Sequence, residues 1–536
     1  MHTSIPLSRL AGYPQFLSQN SPDDGVLLND PLDRLATLPP LDRYTAAHRA
    51  SLVAALTEDL ARWGAPPQAL DAARMLAEEN AYAVVTGQQA GVAGGPLYTL
   101  YKAIGTVHAA DALAALHPGH RFVPVFWIEA DDHDFDEVSA LTILDRSGAP
   151  ATLRYDDGEK RPLHIGDRAV SAEGLDALES GLRELLQPTD FTDAALAILR
   201  EAYGEPGGNL ADGFARMLYA ALGDTPLVLL CSRNRELKRL AADVIACEAA
   251  DPLPLFNAVS GRGALLQGRG LPTPIAPKEG SLFLTYDGER RSLDLRDGRY
   301  AVRGTDITMS FAEAEEMART EPERFSPKVS LRPLVQDAIL PTALYLGGPS
   351  EVAYLNQLRD AYPLFGLHPS SVAPRPFVLL LEGKVARAVE RAGIALDVLL
   401  DVGFDAAGML VDKDTAEELE LARARALEGL RAAFRELEPI TRRIDPTLEK
   451  ALGSAEAGAG KSTDDLVKRL GAALKKKQQT DIDRLNGARA MVMPGGELQE
   501  RTITMLYFIN KYGVEKFRAA LDAIAIAPGE LQVIEI

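Results

Sequence analysis

The sequence predicts an α/β protein: a parallel-sheet core that carries two insertions and is followed by a helical coiled-coil arm. Three observations predict it. Tyr82-Ala-Val-Val-Thr86 is a β-rich run followed by a glycine-rich turn, a helix-like stretch from Leu97 to Leu116 and the apolar run His120 to Ile128, the strand–turn–helix–strand order of a βαβ unit. Two further short apolar runs, Pro226 to Cys231 and Thr342 to Leu346, each lead into a helical segment and look like later strands of the same sheet. After Pro376 the texture changes: Leu427, Leu430, Phe434 and Leu437 recur at spacings of three and four on a charged, Ala-rich background, as in a helix with an apolar seam.

In chain order, Tyr44 to Leu60 and Pro67 to Ala81 have apolar residues at helical spacing and form a preamble to the first strand. A mixed, Leu-rich stretch from about Thr142 to Asp224 reads as one insertion. Ser281 to Arg303 belongs to another, in which Leu282 to Tyr286, Asp287-Gly288 and Arg291 to Tyr300 read as hairpins. The arm's seam continues in Leu466, Leu470, Leu474, Ile482 and Leu485. Pro439, Pro446 and the stretch Gly453 to Gly460 are expected to break the arm into pieces.

Composition excludes several classes. The 536 residues hold 57 Lys and Arg against 76 Asp and Glu, a net charge of −19, with mean hydropathy −0.06. So acidic a chain is not built to coat nucleic acid or an anionic membrane, both of which need a basic surface. Two cysteines, Cys231 and Cys247, provide neither a disulfide framework nor a thiolate zinc cluster and fit a reducing compartment, so the cytoplasm is expected. Met1 to Leu17 lacks the pattern of an export signal, and no apolar run is long enough to span a bilayer.

Three motifs carry chemistry. Thr86-Gly-Gln88-Gln89, with Gly91, Gly94, Gly95 and Pro96, lies between the first strand and its helix, where open parallel sheets bind ligands. Glycines there serve a tight turn; the paired glutamines favour ligand binding, because amides orient polar groups. The spacing is not that of a dinucleotide fingerprint. The second motif, Glu129-Ala-Asp131-Asp132-His133-Asp134-Phe-Asp136-Glu137, crowds six carboxylates around one imidazole at the end of the second strand. Such a cluster can tune a general base, hold a metal, bind an amino group, or form a solvated helix-capping loop. Asp132, His133 and Asp134 are its candidate catalytic residues; a metal-dependent hydrolase is the alternative, without a second distant His motif to support it. The third motif runs from Arg332 and Gln336 to Gly348-Pro-Ser350-Glu351. Here Arg332 can bind a carboxylate or phosphate or anchor a loop, and Ser350 can cap the next helix. Ala455 to Ser462 loosely fits a phosphate loop, but no apolar strand precedes it, and it reads as a break in the arm.

Taken together, Val85-Thr-Gly-Gln-Gln-Ala-Gly91, Gly94-Gly-Pro-Leu-Tyr-Thr-Leu-Tyr-Lys102, the Phe126-Trp-Ile block with Asp132-His-Asp-Phe-Asp136, Arg332-Pro-Leu-Val-Gln336 and Gly348-Pro-Ser-Glu351 resemble the bacillithiol synthase family, the cysteine-adding enzymes of bacillithiol biosynthesis. The resemblance spans nearly the whole chain. It implies a Rossmann-like core with two connecting-peptide inserts, as in class I aminoacyl-tRNA synthetases, and a coiled coil that makes a homodimer. Tyr98 and Tyr101 stand where that class carries the two histidines of its signature, and Lys328-Val-Ser330 is faintly similar to its mobile loop. The modules are then expected at 1–141 (N-terminal helices and first half of the core), 142–223 (first insert), 224–250 (core strand and helix), 251–330 (second insert), 331–380 (second half of the core), 381–500 (arm) and 501–536 (return to the core).

The implied reaction is addition of L-cysteine to glucosaminyl-malate by amide formation, with no nucleic acid or membrane partner. Gln88, Gln89, Gly94, Gly95, Tyr98, Arg332, Gln336, Gly348 and Glu351 are the expected substrate-binding residues. No metal is assigned and no cofactor is certain. The resemblance suggests that an adenine nucleotide, ATP or ADP, binds beside the coiled coil, where Gln499, Arg501, Tyr507, Asn510 and Lys511 offer amides, charge and a stacking face; the same residues can equally seat the C-terminal helices. A non-catalytic, nucleotide-binding coiled-coil protein is the second alternative.

Overall fold

The computed structural model describes residues 3–10, 13, 17, 38–410 and 413–536; the stretch Met1 to Leu17, expected to lack an export signal, falls partly outside them. The chain divides into two compact units, Met1–Gly383 with Met491–Ile536, and Lys384–Ala490.

In the first unit α1 (Ala46–Arg62) and α2 (Pro67–Met75) precede β1 (Ala81–Gln89). Thr45 opens α1 by accepting the His48 N–H at 3.2 Å, and Pro67 opens α2 at the position where a missing N–H costs nothing. The buried Arg49 guanidinium donates to the carbonyls of Leu76, Glu79 and Ala81, satisfying backbone between α2 and β1 that has no regular partner.

The core continues with α3 (Tyr98–Leu116), β2 (Arg121–Glu129), β3 (Val228–Cys231), α4 (Arg332–Ile339), β4 (Thr342–Gly347), α5 (Pro349–Leu358) and β5 (Ser371–Pro374). All five strands are parallel, in the order β5-β4-β1-β2-β3. The chain steps from β1 to β2 to β3 on one side, then returns to place β4 on the other side of β1. The switch point, where such sheets open a crevice, therefore lies between the carboxyl ends of β1 and β4. The ladder between β1 and β2 runs unbroken from Ala81 and Arg121 to Gln89 and Glu129. Hence the strand does not stop before Gly87, and both glutamines stand on it.

Tyr82, Val84, Ala109, Leu113, Phe122, Leu344 and Leu346 join the sheet to α3 in one buried cluster. At roughly 1.5–3 kcal/mol per large apolar side chain, this seam fixes where α3 lies. The helix also packs on Phe377–Leu381, a strand of a second, three-stranded sheet. Buried on two sides, it has no polar stripe. Lys102 on α3 is 2% exposed, and a cation so placed requires partners.

After β2 the first insertion builds a hairpin from Ala140–Leu144 and Pro150–Arg154, then the helices Ala172–Leu185, Thr192–Tyr203 and Leu210–Leu222. Between β3 and α4, Leu282–Tyr286, Glu289–Arg296 and Arg299–Val302 pair antiparallel. Their turns, Asp287-Gly288 and Asp297-Gly298, have positive φ at both positions, as two-residue hairpin turns require.

The second unit contains two long helices, Lys413–Ile444 and Glu449–Val492, joined at Pro446. The expected break at Gly453 to Gly460 is absent, and helix runs through it and through Ala455 to Ser462. Glycine costs only about 1 kcal/mol in a helix interior, and a 44-residue helix with alanines between its glycines absorbs that. Pro439 also lies within helix, where the carbonyl it leaves without a donor belongs to the exposed Arg435. The unit ends at Ala490, so the return to the core begins before residue 501. Among the described residues no helix is long and apolar enough to cross a membrane.

Candidate active site

A cavity of about 430 Å³ opens at the switch point, within the size range of small-molecule sites. Its floor is the end of β1 (Gly87, Gln88, Gln89) with Tyr98 and Lys102 of α3; its walls come from the end of β2 (Trp127, Glu129, Asp132), from Tyr345, Gly348 and Glu351 at the end of β4, and from Arg290, Arg332, Arg375 and Arg501. Five cationic side chains thus face three carboxylates in a chain of net charge −19. The site suits an anionic ligand that also carries an amino or hydroxyl group.

The three carboxylates take two different states. Glu129 accepts bonds from Trp127 Nε1 (3.1 Å), the Asp131 N–H (3.0 Å) and the Ser232 hydroxyl (3.1 Å). Burial, reinforced by the neighbouring Asp131 charge, pushes its carboxyl above the usual range. Burial also opposes ionisation of Asp132, but His133, the Arg290 guanidinium and the Gln89 amide outweigh it and hold that carboxyl well below the usual range. Glu351 is likewise kept ionised despite burial, by Lys102 at 2.5 Å, the Tyr345 hydroxyl and the Gly348 N–H. Arg332 donates to Gln336 Oε1 (3.0 Å) and lies over the rings of Trp127 and Tyr345. Arg375 forms a buried two-point ion pair with Glu500 at 3.0 and 2.6 Å.

Of the residues expected to bind substrate, Gln88, Gln89, Tyr98, Arg332, Gly348 and Glu351 line this one cavity. Gln336 does not line it; it is buried and orients Arg332. Gly94 and Gly95 serve the turn: φ is +81° and +69°, and a Cβ on Gly94 would lie 2.1 Å from Met505 Cε. Ser350 is not the cap of α5, because that helix starts at Pro349 with Gly348 as its cap. Of the expected catalytic residues, Asp132 lines the cavity. His133 is set behind it, with Arg290 Nη1 donating at 3.1 Å to both Asp132 Oδ1 and His133 Nδ1. Asp134 caps the short helix Phe135–Ser139 through the Glu137 N–H. The guanidinium thus holds the place that a metal shared by Asp132 and His133 would need, and among the described residues no group of three or more His, Cys, Asp or Glu side chains is arranged to hold a metal ion.

Of the five residues expected to hold a nucleotide, Arg501 alone lines the main cavity. Gln499 is buried on the backbone of Leu380 and Met491. Tyr507 and Lys511 both bond the Glu382 carboxylate, and Asn510 is tied to Gln187 and Thr192. These four seat the C-terminal helices, whereas Arg501 faces the main cavity. Lys102, Arg290 and Arg375 line the cavity but are not among the residues the sequence points to, and Glu129 belongs to the acidic cluster without being one of its candidate catalytic residues. Lys102 did carry a signal, a single cation in a helix otherwise free of charge up to Asp111. Arg290 carried none, since a hairpin insertion far along the chain delivers it.

Comparison with known proteins agrees with this architecture. Residues 35–376 match the family model "Bacillithiol biosynthesis BshC, N-terminal Rossmann-like domain", and residues 378–536 match "Bacillithiol biosynthesis BshC, C-terminal coiled-coil domain". A protein of Salinibacter ruber is 34% identical over 469 residues, covering 87% of this chain and 85% of its own. One of Chlorobaculum tepidum is 31% identical over 479 residues, 87% and 84% of the two chains, and one of Heliobacterium modesticaldum 32% over 506 residues, 90% and 89%. Each is described as "Putative cysteine ligase BshC". With a Rossmann-like parallel core and a helical arm that both match in chain order, the chain belongs to the BshC family of bacillithiol biosynthesis.

Proposed function

We propose that this chain is a cysteine ligase that joins the carboxyl of L-cysteine to the amino group of glucosaminyl-malate, the last step of bacillithiol formation, in the crevice between β1 and β4. What supports this most directly is the charge pattern of that crevice: arginines at two walls for carboxylates, and Glu129 and Asp132 between them for an ammonium group. An ammonium is not nucleophilic until it loses a proton. Glu129, whose carboxyl is raised by burial and by Asp131, is the group best matched to take that proton, while Asp132 stays ionised and steadies the charge. Arg332 and Arg375 orient the malate carboxylates.

Amide formation from a carboxylate is uphill in water, so ATP is proposed as the activating co-substrate: transfer of its phosphoryl or adenylyl group to the cysteine carboxylate, with release of ADP or pyrophosphate, gives an acyl donor from which the amine displaces phosphate or AMP. Arg501, exposed at the cavity rim and bonded among the described residues only to Glu497 on the surface, is the residue proposed to meet the ATP phosphates. The arm is proposed to pair two chains, because Leu437, Ile440, Ile444, Leu466 and Leu470 remain exposed on its long helices. The cytoplasm, where cysteine is reduced, is the proposed compartment.

The test is complementation of a strain deleted for its own gene of this family. The unaltered chain should restore bacillithiol, and Glu129→Gln should leave glucosaminyl-malate accumulating. Unchanged thiol in the deletion strain, or full restoration by Glu129→Gln, would overturn the assignment or the base respectively. Restoration by a chain lacking the crevice charges would favour a non-catalytic role.

A further inference from the structure

Lys102 lies on the cavity floor yet is not available to a ligand. Its ammonium has three protons, and three acceptors take them: the Gly87 carbonyl at 2.8 Å, Gln88 Oε1 at 3.0 Å and Glu351 Oε2 at 2.5 Å. A saturated ammonium that is 2% exposed can act on a substrate only through its neighbours.

The neighbour it controls is Gln88. An amide free to rotate can present oxygen or nitrogen with little difference in energy. With Oε1 committed to Lys102, the Gln88 amide must turn its nitrogen outward, and Nε2 donates to the Tyr98 hydroxyl oxygen at 3.1 Å. Tyr98 then accepts from Gln88 and keeps its own proton, for which no acceptor exists among the described residues. Burial raises the Tyr98 hydroxyl above the usual tyrosine range against the opposing charges of Arg375 and Arg501, so it remains a donor. Gln89 is fixed in a comparable way: both protons of its Nε2 go to carboxylates, Asp132 at 2.9 Å and Glu137 at 2.9 Å. That leaves Gln89 Oε1 as the acceptor.

We propose that Lys102, held by Glu351, is a positioning residue that sets the Gln88 amide so that the Tyr98 hydroxyl donates to an acceptor oxygen of the bound acid, while Gln89 offers the complementary acceptor to an N–H or O–H of the same ligand. This rests on the crevice being the substrate site, as proposed above.

The experiment uses the full chain. Lys102→Met alone would strand the Glu351 carboxylate, so the probe is the charge-balanced pair Lys102→Met with Glu351→Gln, checked for an unchanged thermal transition. A crystal structure of that variant should show the Gln88 nitrogen released from Tyr98; a retained Gln88–Tyr98 bond overturns the proposal whatever the ligand. Titration calorimetry with glucosaminyl-malate should show at least tenfold weaker binding for the pair, a similar loss for Tyr98→Phe, and little further loss when the two are combined, because both act through one hydroxyl. Additive losses, or none, overturn it. Failure of glucosaminyl-malate to bind the unaltered chain would instead overturn the functional assignment, with the crystal structure still deciding the role of Lys102.

Discussion

Glu500→Ala should be the most damaging single substitution near the site that leaves every cavity-lining residue in place. Glu500 and Arg375 are 1% and 2% exposed as side chains. The carboxylate receives both Arg375 Nη1 and Nη2 and also the Val378 N–H at 3.0 Å. Truncation strands a buried guanidinium, which costs about 3–5 kcal/mol, and leaves a backbone donor unpaired within that loss. Among the described residues Arg375 then retains only the Pro376 carbonyl and the rings of Phe377 and Tyr98. Glu500→Gln preserves an acceptor for Val378 and should cost roughly 1.5–3 kcal/mol, the value of a charged hydrogen bond. Replacing both partners by Arg375→Met with Glu500→Leu should recover much of the stability, because a buried ion pair and an apolar pair of similar volume are close in energy. The assay is urea unfolding followed by tryptophan fluorescence. Trp63 and Trp127 are the chain's two tryptophans and both lie in the core unit, so the signal reports that unit and not the arm. A loss below about 1 kcal/mol for Glu500→Ala, on the same scale, would refute the claim that this pair is desolvated and fixed.

Three further outcomes are expected. Arg290→Met removes one of the groups that, with His133 and Gln89, keep Asp132 ionised, so the Asp132 carboxyl moves up and the acid limb of the pH–activity profile moves to higher pH; an unmoved limb counts against Asp132 as a working carboxylate. Burial raises Glu248 to about 8, above roughly 4.3 in the unfolded chain, so its contribution is fully present below that lower value and is lost as pH rises through 8. Glu248→Gln should therefore flatten the decline in stability between these values, which is at most about 1.4 kcal/mol per pH unit, as read by unfolding at pH 5, 7 and 9. Light scattering at micromolar concentration should find a dimer that Ile444→Glu with Leu437→Glu dissociates; a monomeric unaltered chain would contradict pairing through the arm.

Local chemistry determined much of this molecule. Apolar runs bounded by glycine and proline placed β1 to β4 because a buried parallel strand must be continuously apolar, and the heptad-like seam placed the arm because its period is that of a helix. Gln88, Gln89, Arg332 and Glu351 could be picked out as polar groups at strand ends, where open sheets put their ligands. The sequence could not resolve the arm's breaks: glycines Gly453 to Gly460 and Pro439 carry local costs of helix breaking that a long helix outweighs. Nor could it say which members of the acidic cluster work, since that depends on partners from remote segments. Asp131 is consumed by Lys238 and Arg233, Asp134 by a helix cap, and Asp132 is claimed by Arg290, which a hairpin more than a hundred residues later brings to it. Likewise Gln499, Tyr507, Asn510 and Lys511 look like a ligand face in one dimension, but in three their polar atoms are satisfied by Leu380, Glu382 and Gln187. Residue type and spacing determine which groups have chemistry to offer, whereas only the tertiary structure decides which of them fold has already satisfied and which remain open to a ligand.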